Sequence, residues 1–169
     1  MSDASDHYRI GVISDTHGYL SSAVFRIFEG VQLILHAGDI GLGDVLIELA
    51  AIAPICAVSG NVDGVPEAGL RPLFRQLETP AGRIAMTHGH LARAPAGDLP
   101  RLVQHFAPFQ PRIIVYGHTH VAYLGPCQGV TLFNPGAAGR AGVGRPPSVG
   151  LITVDAPDAP PRLEHVVLT

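Results

Sequence analysis

The segment Arg9-Ile10-Gly11-Val12-Ile13-Ser14-Asp15-Thr16-His17-Gly18 decides how the chain is read. Its first six residues form a short apolar run of strand length, and the run stops at an Asp-x-His pair followed by glycine. Beyond it, Leu20, Val24, Ile27 and Phe28 fall on one helical face, with Ser21 or Ser22 as N-cap and Gly30 as the stop. The same order recurs downstream. Leu33–His36 reads as a strand ending at Gly38-Asp39, and Val45, Leu46, Leu49 and Ile52 mark a helix closed by Pro54. Ile55–Val58 is a strand ending at Gly60-Asn61, and residues 83–87 run into His88-Gly89-His90. Asp98 caps a helix that turns Leu102, Val103 and Phe106 inward, and Ile113–Tyr116 ends at Gly117-His118-Thr119-His120. Short strands alternating with amphipathic helices predict an α/β fold. The last third differs: runs at 121–125, 130–134, 148–154 and 162–168, separated by Gly and Pro, read as antiparallel strands of a second sheet.

Composition bounds the function. With 169 residues, 47% apolar and 15% charged, and a mean hydropathy of +0.28, the chain can bury one sizeable core, which excludes a disordered protein. One domain over residues 8–169 is expected, preceded by a flexible tail at 1–7. No apolar run reaches membrane-span length, and the acidic, polar start resembles neither a secretory signal nor a transit peptide. Every basic residue is an Arg and they are scattered singly, so no extended nucleic-acid surface is evident, although one or two Arg suffice for a small phosphate. Cys56 and Cys127, both in apolar stretches, indicate packed thiols and a cytoplasmic protein rather than a disulfide framework. The apolar content leaves room for a homodimer.

Five strand ends carry metal-competent side chains: Asp15 and His17, Asp39, Asn61, His88 with His90, and His118 with His120. In an α/β sheet the carboxyl ends of strands line one edge, so residues distant in sequence converge there. An extended backbone would place both members of Asp-x-His and His-x-His on one side. So many mixed oxygen and imidazole donors exceed the needs of one tetrahedral zinc and suit two divalent first-row ions, Mn favoured, with Fe, Ni, Co or Zn as alternatives. Two such ions need a bridging carboxylate, and Asp39, central in the series, is the candidate.

The ordered set Asp15-x-His17, Gly38-Asp39, Gly60-Asn61, His88-Gly89-His90 and Gly117-His118-x-His120 resembles the calcineurin-like metallophosphoesterases. The likeness is strongest to their small bacterial and archaeal phosphodiesterase branch, typified by YfcE, and spans about residues 8–155. The resemblance implies a four-layer α/β/β/α sandwich of two mixed sheets and a metal-dependent phosphodiesterase acting on small phosphodiesters through a metal-bridging hydroxide. It assigns Asp15, His17, Asp39 and His120 to one metal, and Asp39, Asn61, His88 and His118 to the other, with Asn61 also stabilising developing charge. Two departures stand out. Larger members carry a proton-donating His after the motif Asn, where this chain has Val62; His90 either replaces that acid or is a plain loop histidine. The late turn of the small branch ends in Ser, whereas here it reads Asn134-Pro135-Gly136-Ala137, whose backbone amides could still face an anion.

Other residues read more plainly. His36 is expected to be a buried, hydrogen-bonded histidine, and Asp63 either orients the Asn61 loop or simply turns it. Arg140 and Arg145 lie in a Gly/Ala/Pro-rich segment and are expected to face solvent, and His7, His105 and His165 carry no assigned role. The alternative to an enzyme is a scaffold of the same fold that has lost its chemistry, as in the retromer subunit that resembles this family. A lactamase-like dinuclear hydrolase would require a His-x-His-x-Asp-His run, which is absent.

Overall fold

The computed structural model of the chain describes residues 7–64, 71–139, 142 and 144–169. Two five-stranded mixed sheets organise it. In chain order the strands are β1 (Tyr8–Ile13), β2 (Leu33–His36), β3 (Ile55–Ala57), β4 (Phe74–Thr79), β5 (Gly82–Thr87), β6 (His90–Leu91), β7 (Ala94–Pro95), β8 (Ile113–Val115), β9 (Tyr123–Cys127), β10 (Val130–Asn134), β11 (Ser148–Val154) and β12 (Arg162–Val167). The helices are α1 (Ser22–Ile27), α2 (Val45–Ala50) and α3 (Leu99–Phe106). One sheet has the order β12-β11-β1-β2-β3 and the other β4-β5-β8-β10-β9, while β6 and β7 form a separate small hairpin.

Alternation of side chains along the strands builds the layers. On β1, Ile10 and Val12 join Leu35, Ile84, Met86, Ile113, Val115, Phe133 and Ile152 in a core between the sheets. Ile13 turns the other way, to a second core with Val24, Phe28, Val45 and Leu49 from the α1 and α2 side. Ala85, Ile114 and Leu132, on the opposite face of the second sheet, pack with Leu102, Val103 and Phe106 of α3. Three apolar interfaces therefore separate four layers, α/β/β/α. Local capping agrees with the sequence reading: Ser21 accepts from the Ala23 amide, and Asp98 Oδ1 accepts from the Arg101 amide at 3.2 Å.

The last third departs from expectation. Only β9 and β10 enter the second sheet, and β10 runs parallel to β8; β11 and β12 return to the first sheet, where β11 lies antiparallel to β1. Burial accounts for this. All seven residues of β11 are buried, with Val149 and Leu151 in the core under α1 and α2 and Ile152 and Val154 in the core between the sheets, and a place beside β1 covers both faces in this way. The five motif-bearing strand ends are likewise divided, three on the first sheet (β1, β2, β3) and two on the second (β5, β8). β4 forms an antiparallel hairpin with β5 that periodicity did not signal. Among the described residues no helix is long and apolar enough to cross a membrane. Residues 1–6 and Arg140, about which expectations were stated, lie outside the described residues.

Phe28 is fully buried, and a Cβ on Gly11 would lie 2.9 Å from its ring, so the missing side chain of β1 is the space that the phenyl fills. Phe28→Ala is expected to cost ~3–5 kcal/mol in equilibrium urea unfolding of the metal-free protein.

Candidate metal centre

The loops after β1 and β2 continue side by side beyond their strands. The amides of Asp15, His17 and Gly18 donate to the carbonyls of Gly38, Asp39 and Ile40 at 3.0, 3.0 and 2.7 Å. Behind them, the amides of Ala138 and Gly139 donate to the carbonyls of Ser14 and Asp15, and the Gly136 amide to Asn134 Oδ1 at 3.0 Å. The amides of Ala138 and Gly139 thus brace the β1 loop, and within the late turn itself the Gly136 amide is taken up by the Asn134 side chain.

Backbone geometry at the site is unusual. Asp15, His17, Asp39, His118 and His120 all have positive φ, between 48° and 69°, and so depart from the extended conformation expected for the Asp-x-His and His-x-His pairs. Aspartate tolerates this region through local hydrogen bonding, whereas for the three histidines it costs ~1–2 kcal/mol each, and strain of this kind persists where surrounding contacts over-determine it. Here the contacts are specific. Asn134, fully buried, donates through Nδ2 to the Gly117 carbonyl and to Thr119 Oγ1, both at 3.0 Å, bracketing His118. The His118 amide donates to Asp15 Oδ2 at 3.2 Å, and Ser14 Oγ donates to the same oxygen at 2.6 Å. Asp63 joins two loops, accepting from the Gly41 amide at 2.9 Å and the Gly60 amide at 2.7 Å, so it orients the Asn61 loop rather than merely ending it. A Cβ on Gly60 would stand 2.1 Å from Asp39 Oδ1, so only glycine permits this approach.

Around this frame the donors converge. One ligand atom from each of Asp15, His17, Asp39 and His120 lies within 4.8 Å of the others. His17 Nε2 and His120 Nε2 are 3.4 Å apart, and His120 Nε2 is 3.2 Å from Asp15 Oδ1. On the other side of Asp39, His88 Nε2 lies 3.3 Å from Asp39 Oδ1 and 3.2 Å from Asn61 Oδ1, and the His118 ring stands 5.1 Å from that of His88. His90 lies further out, its ring 5.5 Å from His88 and 6.4 Å from His118.

Protonation logic shows that this cluster accommodates positive charge. His88 Nδ1 donates to the Ala37 carbonyl at 2.8 Å, which leaves a bare lone pair on Nε2 of the neutral ring, aimed at the oxygens of Asp39 and Asn61. Asp15 Oδ1 is buried with no hydrogen-bond partner among the described residues. Burial pushes the Asp15 carboxyl up, against the pull of His88, Ser14 and His120. Asp39 is also pushed up by burial, but its hydrogen bond and charge interaction with His88, with the Val62 amide at 3.1 Å, outweigh that and hold it at about 2. Burial lowers His88, yet Asp39 and Asp15 raise it further, while burial holds His118 and His90 below the usual imidazole range. Two buried carboxylates and converging lone pairs are the chemistry of a divalent-cation site. The residues present therefore fit such a group.

His36, outside the ligand cluster, is a satisfied core histidine. Its Nδ1 accepts from the Gly38 amide at 3.2 Å, and its Nε2 lies 3.0 Å from Thr16 Oγ1, which itself donates to the Ile40 carbonyl. His105 stacks on Phe74 and His165 reaches the Asn134 carbonyl at 2.7 Å, while Cys56 and Cys127 are free. Sequence reasoning noticed Asn134 only as part of a turn; its role in fixing the His118–His120 loop depends on contacts that no spacing displays.

Comparison with known proteins accords with this geometry. Residues 8–157 match the calcineurin-like phosphoesterase superfamily domain, and the chain belongs to that family. A probable metallophosphoesterase of Methanothermobacter thermautotrophicus is 37% identical over 134 residues, 76% of each chain. An archaeal phosphodiesterase of known structure matches with a TM-score of 0.69 and 25% identity, over 95% of this chain and 99% of that one. Vacuolar protein sorting 29 of Cryptosporidium parvum shares the fold, with a TM-score of 0.76 and 21% identity over 96% and 98% of the two chains.

The buried neutral state of His36 has a pH signature. Burial holds its pKa down to about 3, whereas an unfolded histidine takes its proton near 6.5. Its contribution to stability is complete above pH 6.5 and declines as pH falls towards 3, because only the unfolded state binds the proton there. The metal-free protein is expected to lose thermal stability between pH 7 and pH 5, with a shallower slope for His36→Asn, read from melting temperatures across that range.

Proposed function

We propose that the chain is a metal-dependent phosphodiesterase with a dinuclear centre, acting on small phosphodiesters. The observation that carries this reading is the placement of Asp39: its Oδ2 faces His17 at 3.8 Å and its Oδ1 faces His88 at 3.3 Å, so one carboxylate serves two donor sets. Asp15, His17, Asp39 and His120 would hold one cation; Asp39, Asn61, His88 and His118 would hold the other, with Mn the favoured metal. Two cations so held would supply a water of lowered pKa and offset charge on the phosphoryl group.

The protein's own groups prepare that chemistry. The Ala37 carbonyl keeps the His88 proton on Nδ1 and its Nε2 free to ligate. Asn61 is exposed, and with Oδ1 turned to His88 its amide protons are available to a phosphoryl oxygen, where developing charge is stabilised. Val62, half exposed beside Asn61, offers no proton to a leaving group. His90, whose ring lies 5.5 Å from that of His88 and 6.4 Å from that of His118, is the residue proposed for that task, and without it good leaving groups are favoured.

The absence of an acid at Val62 is also the observation that favours the second reading, a binding scaffold of this fold. The two separate cleanly. Metal-stripped protein is expected to cleave bis-p-nitrophenyl phosphate in preference to p-nitrophenyl phosphate only after Mn²⁺ is added. Asp39→Asn is expected to lose more than the ~10–100-fold that removal of an outer-shell partner costs. A folded, metal-binding protein that cleaves neither ester supports the scaffold instead.

A further inference from the structure

Two cavities open beside the centre, and they differ in size. One, of about 690 Å³, is lined among the described residues by Thr16, His17, Tyr19 and Gly139. The other, of about 260 Å³, has His120 in its wall together with Val121, Arg145 and Val167. His17 and His120 are themselves neighbours, their ring centroids 5.4 Å apart, so each cavity is walled by one member of the same histidine pair. A phosphodiester carries two ester substituents on one phosphorus and a monoester carries one. Unequal cavities on either side of the phosphoryl position suit an unsymmetrical diester.

Resting on the phosphodiesterase reading above, we propose that the larger cavity binds an aromatic, nucleoside-sized substituent of the substrate, with Tyr19 as its stacking platform. Volume sets the assignment: ligand sites for small molecules occupy ~300–1,000 Å³, while a void of ~150 Å³ suffices for benzene. The larger cavity thus admits a base with its sugar, and the smaller one a single ring or a sugar. Tyr19 is fitted to the role by position. It follows His17 by two residues, its amide is tied to the Thr16 carbonyl at 3.0 Å, and its side chain is 59% exposed, so the ring is contributed to the cavity and not to the core. Every base has a π-face, so stacking on a tyrosine gives affinity for the class without selecting one base.

The test compares ligands that share a phosphate and differ in the substituent. Affinities of the Mn²⁺-loaded protein for thymidine 5′-monophosphate and for methyl phosphate are measured by calorimetry. Because the chain has four Tyr and no Trp, nucleotide binding can also be followed as quenching of tyrosine fluorescence. The wild type is expected to prefer the nucleotide by ~10–100-fold, Tyr19→Ala to bring the two affinities together, and Tyr19→Phe to retain the preference. Equal affinities in the wild type, or a preference that survives Tyr19→Ala, would overturn the proposal. If the loaded, folded protein binds neither phosphate and cleaves no diester, the phosphodiesterase reading itself has failed, and the assignment of the cavity fails with it.

Discussion

Two carboxylates withdrawn from water, Asp15 and Asp39, form the constraint around which the rest of this structure is arranged. Both are essentially inaccessible to solvent, and one oxygen of Asp15 has no hydrogen-bond partner among the described residues. Burying such groups is costly unless opposite charge compensates them. Imidazoles of His17, His88 and His120 approach the two carboxylates at 3.2–4.0 Å. The fold supplies the rigidity that this demands, since the carboxyl ends of β1, β2 and β3 meet those of β5 and β8 across an apolar core between two sheets.

Much of this was legible in the chain. Apolar runs ending at Asp, Asn or His located β1, β2, β3, β5 and β8 to within a residue or so, because buried parallel strands are read from continuous hydrophobicity and their ends from a change to polar and glycine residues. β4 escaped because Phe74–Thr79 is a half-buried edge strand with Arg, Gln and Glu among its six residues, which resembles a loop until its pairing with β5 is seen. The return of β11 to the first sheet escaped for another reason. Strand order is a non-local property, and nothing within Ser148–Val154 states which sheet it completes.

The donor set was legible as residue types, whereas the geometry that unites it was not. Left-handed backbone at His17, His118 and His120 is unfavourable for histidine taken singly, and at Asp15 and Asp39 it is one conformation among several that aspartate allows, so spacing alone does not announce it. It is imposed from outside by bonds such as Asn134 to Gly117 and Thr119, and Asp63 to Gly41 and Gly60. Strain, buried charge and exact bracing thus concentrate in one place, as expected where a fold is shaped by its chemistry. Beside that centre the chain carries Val62, which has no proton to give, next to Asn61, and two cavities of unequal size next to His17 and His120.

The central claim, that one buried carboxylate organises two cation sites, is tested most directly by calorimetric titration of Mn²⁺ into the metal-free protein and its Asp39→Asn variant. The account predicts two ions per chain for the wild type, with binding at both sites weakened together in the variant. One ion per chain, or two that bind the variant as tightly as the wild type, would contradict it.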